Sequence, residues 1–287
     1  MPTLSSLPID VASKVLRCLN ADDLLMMRPS RLPRNFAHAF QTKAVWRCKH
    51  LAITCSRDVK RFMALVQQTK HCQRLSFAHS RISQDELKAV ALLAVAVESL
   101  NADSSADLDD VTMAAILQKH GQHLKHLNLS NCQYLTNYTM VQVAQKCPNL
   151  HTLIISNCSF SPAALEALTE SESLVRHLKV LDVSKCYLMD NAAILPLSKL
   201  VNLQRLSLRS LEWINSLAIP CIIENYTSLH ELDIRNCEDF TKSGIDGMKS
   251  HLPGHVNVLE NAKLIDDTPD SIRIYLMAII NSTTLVD

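Results

Sequence analysis

Five times between residues 124 and 237, apolar residues fall at the first, fourth and sixth positions of a nine-residue stretch. Leu124 to Cys132 reads LKHLNLSNC, Leu150 to Cys158 LHTLIISNC, and Leu178 to Cys186 LKVLDVSKC. Leu203 to Leu211 reads LQRLSLRSL and Leu229 to Cys237 LHELDIRNC. The starts lie 26, 28, 25 and 26 residues apart. Within each stretch positions four to six alternate apolar, polar, apolar, which is the period of a strand with one buried face. Between the strands the spacing becomes helical. Thr136 caps a helix through Met140, Val143 and Ala144. Ser161-Pro162 is a cap followed by proline at the first helical position, leading to Leu165 and Leu168. Asp109-Asp110 precedes Val111, Ala114, Ile116 and Leu117, and Thr241 leads into Ile245 and Met248.

A fixed period in the twenties with L-x-x-L-x-L is the signature of a leucine-rich repeat, one strand and one helix per unit. A single unit cannot bury its own apolar face, so the units must stack into a solenoid. The frame extends backwards through CKHLAITCS at Cys48, CQRLSFAHS at Cys72 and VESLNADSS at Val97, and forwards to a degenerate PGHVNVLEN at Pro253. That makes eight or nine units over residues 48–263. A last helix from Thr268-Pro269-Asp270 through Ile272, Tyr275, Leu276 and Ile279 is expected to cap the final unit, over residues 264–287. The expected fold class is α/β: a horseshoe with parallel strands on the concave face and helices on the convex face.

Residues 1–47 lie outside the repeat. Leu7-Pro8 opens a helical pattern with Val11, Val15, Leu16 and Leu19 apolar. Asp22-Asp23 caps a short second helix through Leu24, Leu25, Met26 and Met27, and a third runs from about Asn35 to Trp46. So small a helical module must lean on the adjoining repeats or on a partner. This stretch resembles an F-box. The family's Leu-Pro opening, acidic residue and apolar helix stand here as LPIDVASKVLRCL, Leu7 to Leu19, and its second helix as NADDLLMM. Its aromatic and its tryptophan ten residues later stand as Phe36 and Trp46. Between them RPSRLPRNF, Arg28 to Phe36, replaces the family's usual Val-Cys/Ser-x-x-Trp and carries two extra residues and two prolines.

An F-box followed at once by cysteine-containing repeats is similar to the F-box/leucine-rich-repeat family. The resemblance implies a substrate-recognition subunit of an SCF cullin–RING ubiquitin ligase, with no catalytic role of its own. Its partners would be the SCF adaptor, through it the cullin scaffold, and a target protein marked for proteasomal degradation. The resemblance places Leu7, Pro8, Asp10, Val11, Val15, Leu16, Leu19, Leu24 and Leu25 at the adaptor, some of them as internal core and some as interface. A repeat scaffold with no attached ligase is the other reading, favoured by Pro29 and Pro33.

Composition narrows the function. Lys plus Arg number 29 against 28 Asp plus Glu, a formal net charge of +1. Nucleic acid and anionic membrane surfaces both call for a basic excess, so neither is an expected partner. The longest uncharged apolar run, Ala89 to Val97, is too short to span a bilayer. The ten cysteines are not accompanied by a secretory pattern in MPTLSSLPID, and four of them recur at position nine of the repeat. They read as reduced packing residues in a cytoplasmic or nuclear protein. Four glycines leave no room for phosphate-cradling loops, and no catalytic motif is present. No C-x-x-C pair exists, and His120, His123 and His126 cross a helix end, a turn and a strand, so no metal and no cofactor are implied.

The chemistry left is recognition. Positions three, five and seven of each strand point away from the core. In the last three secure units they hold Asp182, Arg205, Arg209, Glu231, Asp233 and Arg235. Charges set side by side on a preformed sheet are the candidate target-binding residues.

Overall fold

The computed structural model describes residues 7–19, 23–24, 27, 31–46, 49–64, 71–94, 96–225, 228–237 and 239–260. The expected C-terminal capping helix and Leu25 lie outside the described residues. The chain divides into two compact units, with the division after Asn128.

The first unit opens with helix α1 (Ile9–Cys18), α2 (Arg34–Phe40) and the single turn α3 (Lys43–Trp46). Helix α1 packs on both of the others, with Ala12 and Leu16 buried. The third expected helix breaks in two at Gln41-Thr42. The Thr42 hydroxyl donates to the Ala39 carbonyl at 2.7 Å, and the Trp46 indole N–H donates to the Phe40 carbonyl at 2.7 Å. These side chains take up carbonyls that a continuing helix would use, and the tryptophan ring folds back edge-on to Phe40, centroids 5.2 Å apart. The last carbonyls of α1 face the same problem. Lys49, from the start of the first repeat, solves it by donating its ammonium to the carbonyls of Arg17 and Leu19.

Strands β1 (His50–Ala52), β2 (Arg74–Ser76), β3 (Ser99–Asn101) and β4 (His126–Asn128) follow in the first unit, each parallel to the next. Helices α4 (Ser56–Ala64), α5 (Gln84–Leu93) and α6 (Asp110–His120) alternate with them. In the second unit strands β5 (Thr152–Ile154), β6 (Val180–Asp182), β7 (Arg205–Ser207), β8 (Glu231–Asp233) and β9 (Asn257–Leu259) pair in the same parallel order. Their helices are α7 (Asn137–Lys146), α8 (Pro162–Thr169), α9 (Glu172–His177), α10 (Ile194–Leu197), α11 (Ile219–Asn225) and α12 (Lys242–His251). The 28-residue gap between Leu150 and Leu178 holds two of these helices, α8 and α9.

From β1 to β8 every strand is positions three to five of the expected frame. Position-four leucines stand directly opposite one another, as in Leu181↔Leu206 and Leu206↔Leu232, and positions four and six are at most 2% exposed throughout. The last unit departs from the expected frame. Strand β9 pairs Val258 with Leu232, so the frame starts at His255 rather than Pro253, two residues later. Alternating valines at 256 and 258 fit either register, and pairing with β8 decides between them.

The strands are short, but the ladder runs past them. The residue at position eight lies in the left-handed region in seven units: His79, Ser104, Asn131, Asn157, Lys185, Ser210 and Asn236, with φ between 54° and 60°. None is glycine. This turn aims the position-eight N–H at the next repeat, where Asn157 reaches the Ser184 carbonyl at 2.8 Å and Lys185 the Arg209 carbonyl at 2.9 Å. Position nine then turns inward. Cys158, Cys186 and Cys237 each donate a thiol to the position-six carbonyl of the preceding repeat at 3.1 Å, and Ser105 makes the same bond to Phe77 with a hydroxyl.

Replacing Asn157 by valine puts a β-branched side chain where φ is positive, and is expected to lower unfolding stability by about 1–2 kcal/mol, whereas Asn157→Gly leaves it within about 0.5 kcal/mol. Urea melts of the two variants beside wild type check this.

His120 gives the first unit a pH response. Its ring is fully buried; Nε2–H donates to the Ala91 carbonyl at 2.7 Å and Nδ1 accepts from the Val97 N–H at 3.5 Å. Burial pushes its pKa below the ordinary 6.5, against the bond to Ala91. The unfolded chain therefore binds the proton more readily, so this contribution is complete above pH 6.5 and is lost as pH falls below it. Melting wild type and His120→Gln between pH 7.5 and 5 should show the steeper decline in wild type.

Candidate binding surfaces on the first helix and on the strands

Two surfaces carry the residues that the sequence singles out. The first is helix α1 and its approach. Leu16 and Leu24 are buried at 1% and 0% exposure, so they belong to the core of the helical module. Leu7, Val11 and Leu19 are partly buried, and the Leu7 carbonyl accepts from the Asn35 amide at 2.6 Å. Pro8, Asp10 and Val15 are exposed. Ile9 was not among the expected residues, yet it is 45% exposed, comparable to Val15 at 43%. The hydrophobic alternation of the sequence marks all of these as apolar except Asp10; only the packing of α2 and α3 against α1 divides them into covered and uncovered.

The second surface is the outward face of β6, β7 and β8 in the second unit. Register sets Val180, Arg205 and Glu231 on one row, and Asp182, Ser207 and Asp233 on the next. The six charges on this face are not held alike. Asp233 is only 6% exposed. Its carboxylate accepts from the Arg235 N–H at 3.1 Å, and from the guanidinium Nε and an Nη at 2.9 and 2.6 Å. Burial opposes its charge, but the bonds from Arg235 outweigh burial and hold the carboxyl below its ordinary 3.8. Asp182 accepts from the Ser184 N–H at 2.9 Å. The same local turn, an aspartate at position five binding the N–H two residues on, thus recurs in both units. Arg205 and Arg209 remain exposed, and Glu231 is half-buried.

Other residues reach this face unannounced. Position-seven serines close the cores of their turns: the hydroxyls of Ser130 and Ser156 bond at 2.9 Å, and that of Ser184 bonds the position-five hydroxyl of Ser207 at 2.7 Å. Lys185, at the left-handed position eight, is exposed beside Arg209. The loops that follow the strands expose Tyr134, Tyr187 and Trp213 at 67%, 51% and 62%. Their signal in the sequence is position ten or eleven of the repeat, just past the last inward residue.

Burial pushes the thiols of Cys147 and Cys186 up to about 12 and that of Cys72 to about 11, which keeps them protonated at neutral pH. Among the described residues no group of three or more His, Cys, Asp or Glu could hold a metal ion. His120 ends α6, His123 lies in the following turn and His126 begins β4. No helix among the described residues is long and apolar enough to cross a membrane.

The two classes of charge on the strand face separate by mutation. Asp233→Ala strands a buried N–H and should lower stability by about 1–2 kcal/mol. Arg209→Ala removes an exposed side chain and should stay within about 0.5 kcal/mol of wild type. Thermal melts of the two variants check the difference.

The model of the family described as "Leucine Rich repeat" matches residues 120–137, which contain the first of the five regular stretches. Among solved structures, a chain of the Rad7–Elc1 complex from yeast matches with 13% identity and a TM-score of 0.47, over 92% of this chain and 94% of that one. An internalin (inlF) from Listeria monocytogenes matches with 14% identity and a TM-score of 0.43, over 72% and 53%. A chain of a TLR13–ssRNA13 complex matches with 20% identity and a TM-score of 0.48, over 80% and 32%. The strand register and the parallel order show an α/β leucine-rich repeat solenoid fold, and the family model adds one matching repeat within residues 120–137.

Proposed function

We propose that the protein is a substrate-recognition subunit of an SCF-type cullin–RING ubiquitin ligase. Its N-terminal helices dock the adaptor, and the strand face of the repeats binds a target protein. The observation that carries this reading is the division of α1. Ala12 and Leu16 are buried in the helical module, while Ile9 and Val15 are left 45% and 43% exposed beside an exposed Pro8. Apolar side chains left uncovered on a helix that opens with Leu-Pro, as an F-box does, support a partner-binding surface there. The strand face supports the second half of the reading, since solenoids recognise proteins with the surface their stacked strands preform.

In this reading the chain performs no bond chemistry. It holds a target close to a ubiquitin-charged conjugating enzyme, which raises the effective concentration of the target lysine. The reading places the protein in the cytoplasm or nucleus, where ubiquitin ligases of this type work and where its cysteines stay reduced.

Co-purification of the full chain with the SCF adaptor tests the proposal. Wild type should form a stable complex, and an Ile9→Asp, Val15→Asp variant should lose it while keeping the wild-type melting temperature, because both side chains are exposed. A folded, monodisperse wild type that does not retain the adaptor would leave a repeat scaffold acting without a ligase.

A further inference from the structure

The charges on the strand face differ in what holds them. Asp182 binds the Ser184 N–H, and Asp233 binds both the backbone and the guanidinium of Arg235. Lys185, Arg205 and Arg209 are exposed and have no side-chain hydrogen bond or ion pair among the described residues. Lys185 and Arg209 sit on adjoining rungs, because the Lys185 N–H donates to the Arg209 carbonyl at 2.9 Å. Neighbouring parallel strands lie about 4.8 Å apart, and Arg205, at the start of β7, precedes Arg209 by about 13 Å of extended chain. Glu231 stands opposite Arg205, and Arg209 lies near enough to Asp233 to act on its carboxylate, so each of these cations is offset in part.

We infer that this part of the strand face takes an extended, carboxylate-rich peptide segment of a partner protein, with Lys185 and Arg209 as its main contacts and Arg205 as an outlying one. The inference rests on the strand face being the target-binding surface. Charge complementarity selects the occupant: Asp182 and Asp233 are engaged within their own turns and Glu231 stands opposite Arg205, so the balance left on this part of the face is positive. The spread of the cations selects carboxylates over a phosphate. A phosphate needs donors converging on one point, commonly several backbone N–H groups. Here the N–H groups of Ser184 and Arg235 are held by Asp182 and Asp233, and those of Lys185 and Ser210 by the ladder. An extended peptide presents alternate side chains about 6.8 Å apart, a spacing that reaches from rung to rung.

The test uses the full chain and three fluorescein-labelled peptides: octaglutamate, octalysine, and a glycine-serine peptide with one phosphoserine. Fluorescence anisotropy at 50 mM and 300 mM salt should show octaglutamate binding that weakens with salt, and no binding of octalysine. Lys185→Asn with Arg209→Glu should weaken it at least tenfold, and Arg209→Glu alone at least threefold, with unchanged melting temperatures. Equal binding by the double variant, no binding of octaglutamate by wild type, or binding of the phosphoserine peptide alone would each overturn the inference. Adaptor co-purification, run in parallel, should not change in the double variant. A wild type that retains the adaptor but does not bind octaglutamate sinks this inference alone; octaglutamate bound without the adaptor sinks the ligase reading alone.

Discussion

The structure depends on how one repeat's backbone is handed to the next after only three residues of strand. A three-residue strand satisfies few hydrogen bonds, and the adjoining turn would otherwise bury unpaired N–H and C=O groups. The left-handed residue at position eight solves this. It turns the chain so that its N–H continues the ladder, and it swings position nine inward, where a thiol or a serine hydroxyl binds the preceding repeat's position-six carbonyl. Position eight therefore favours asparagine and serine, which tolerate positive φ, and position nine favours a small donor that can be buried.

That device also shapes the binding surface. Because the turns are closed from within, carboxylates at position five are drawn into the backbone when they occur, as with Asp182 and Asp233. Cations at positions three, seven and eight have no comparable local acceptor, unless an aspartate stands two residues before, as Asp233 does for Arg235. The residues that close the repeat thus differ from those that present charge to solvent, although they alternate along the same strands.

Much of the fold is legible in the sequence because its constraint is periodic. Leucine at positions one and four fixes the strand, and the interval to the next leucine leaves space for a helix. Legibility fails where a pattern has two solutions. Val256 and Val258 fit two registers, and only pairing to Leu232 chooses. Asn35 to Trp46 reads as one helix because the competing bonds of Thr42 and Trp46 are invisible to hydrophobic spacing. At the candidate sites the sequence names charged and apolar residues but not their partners, so Asp233 reads as exposed and Ile9 goes unremarked.

Lys49 belongs by sequence to the first repeat, yet its ammonium closes the end of α1, some thirty residues earlier in the chain. The helical module and the first repeat are consequently not beads on a string. A cut at residue 47 removes that ammonium from the end of α1. A graft of the helical module that is to keep this closure has to carry the chain on through Lys49.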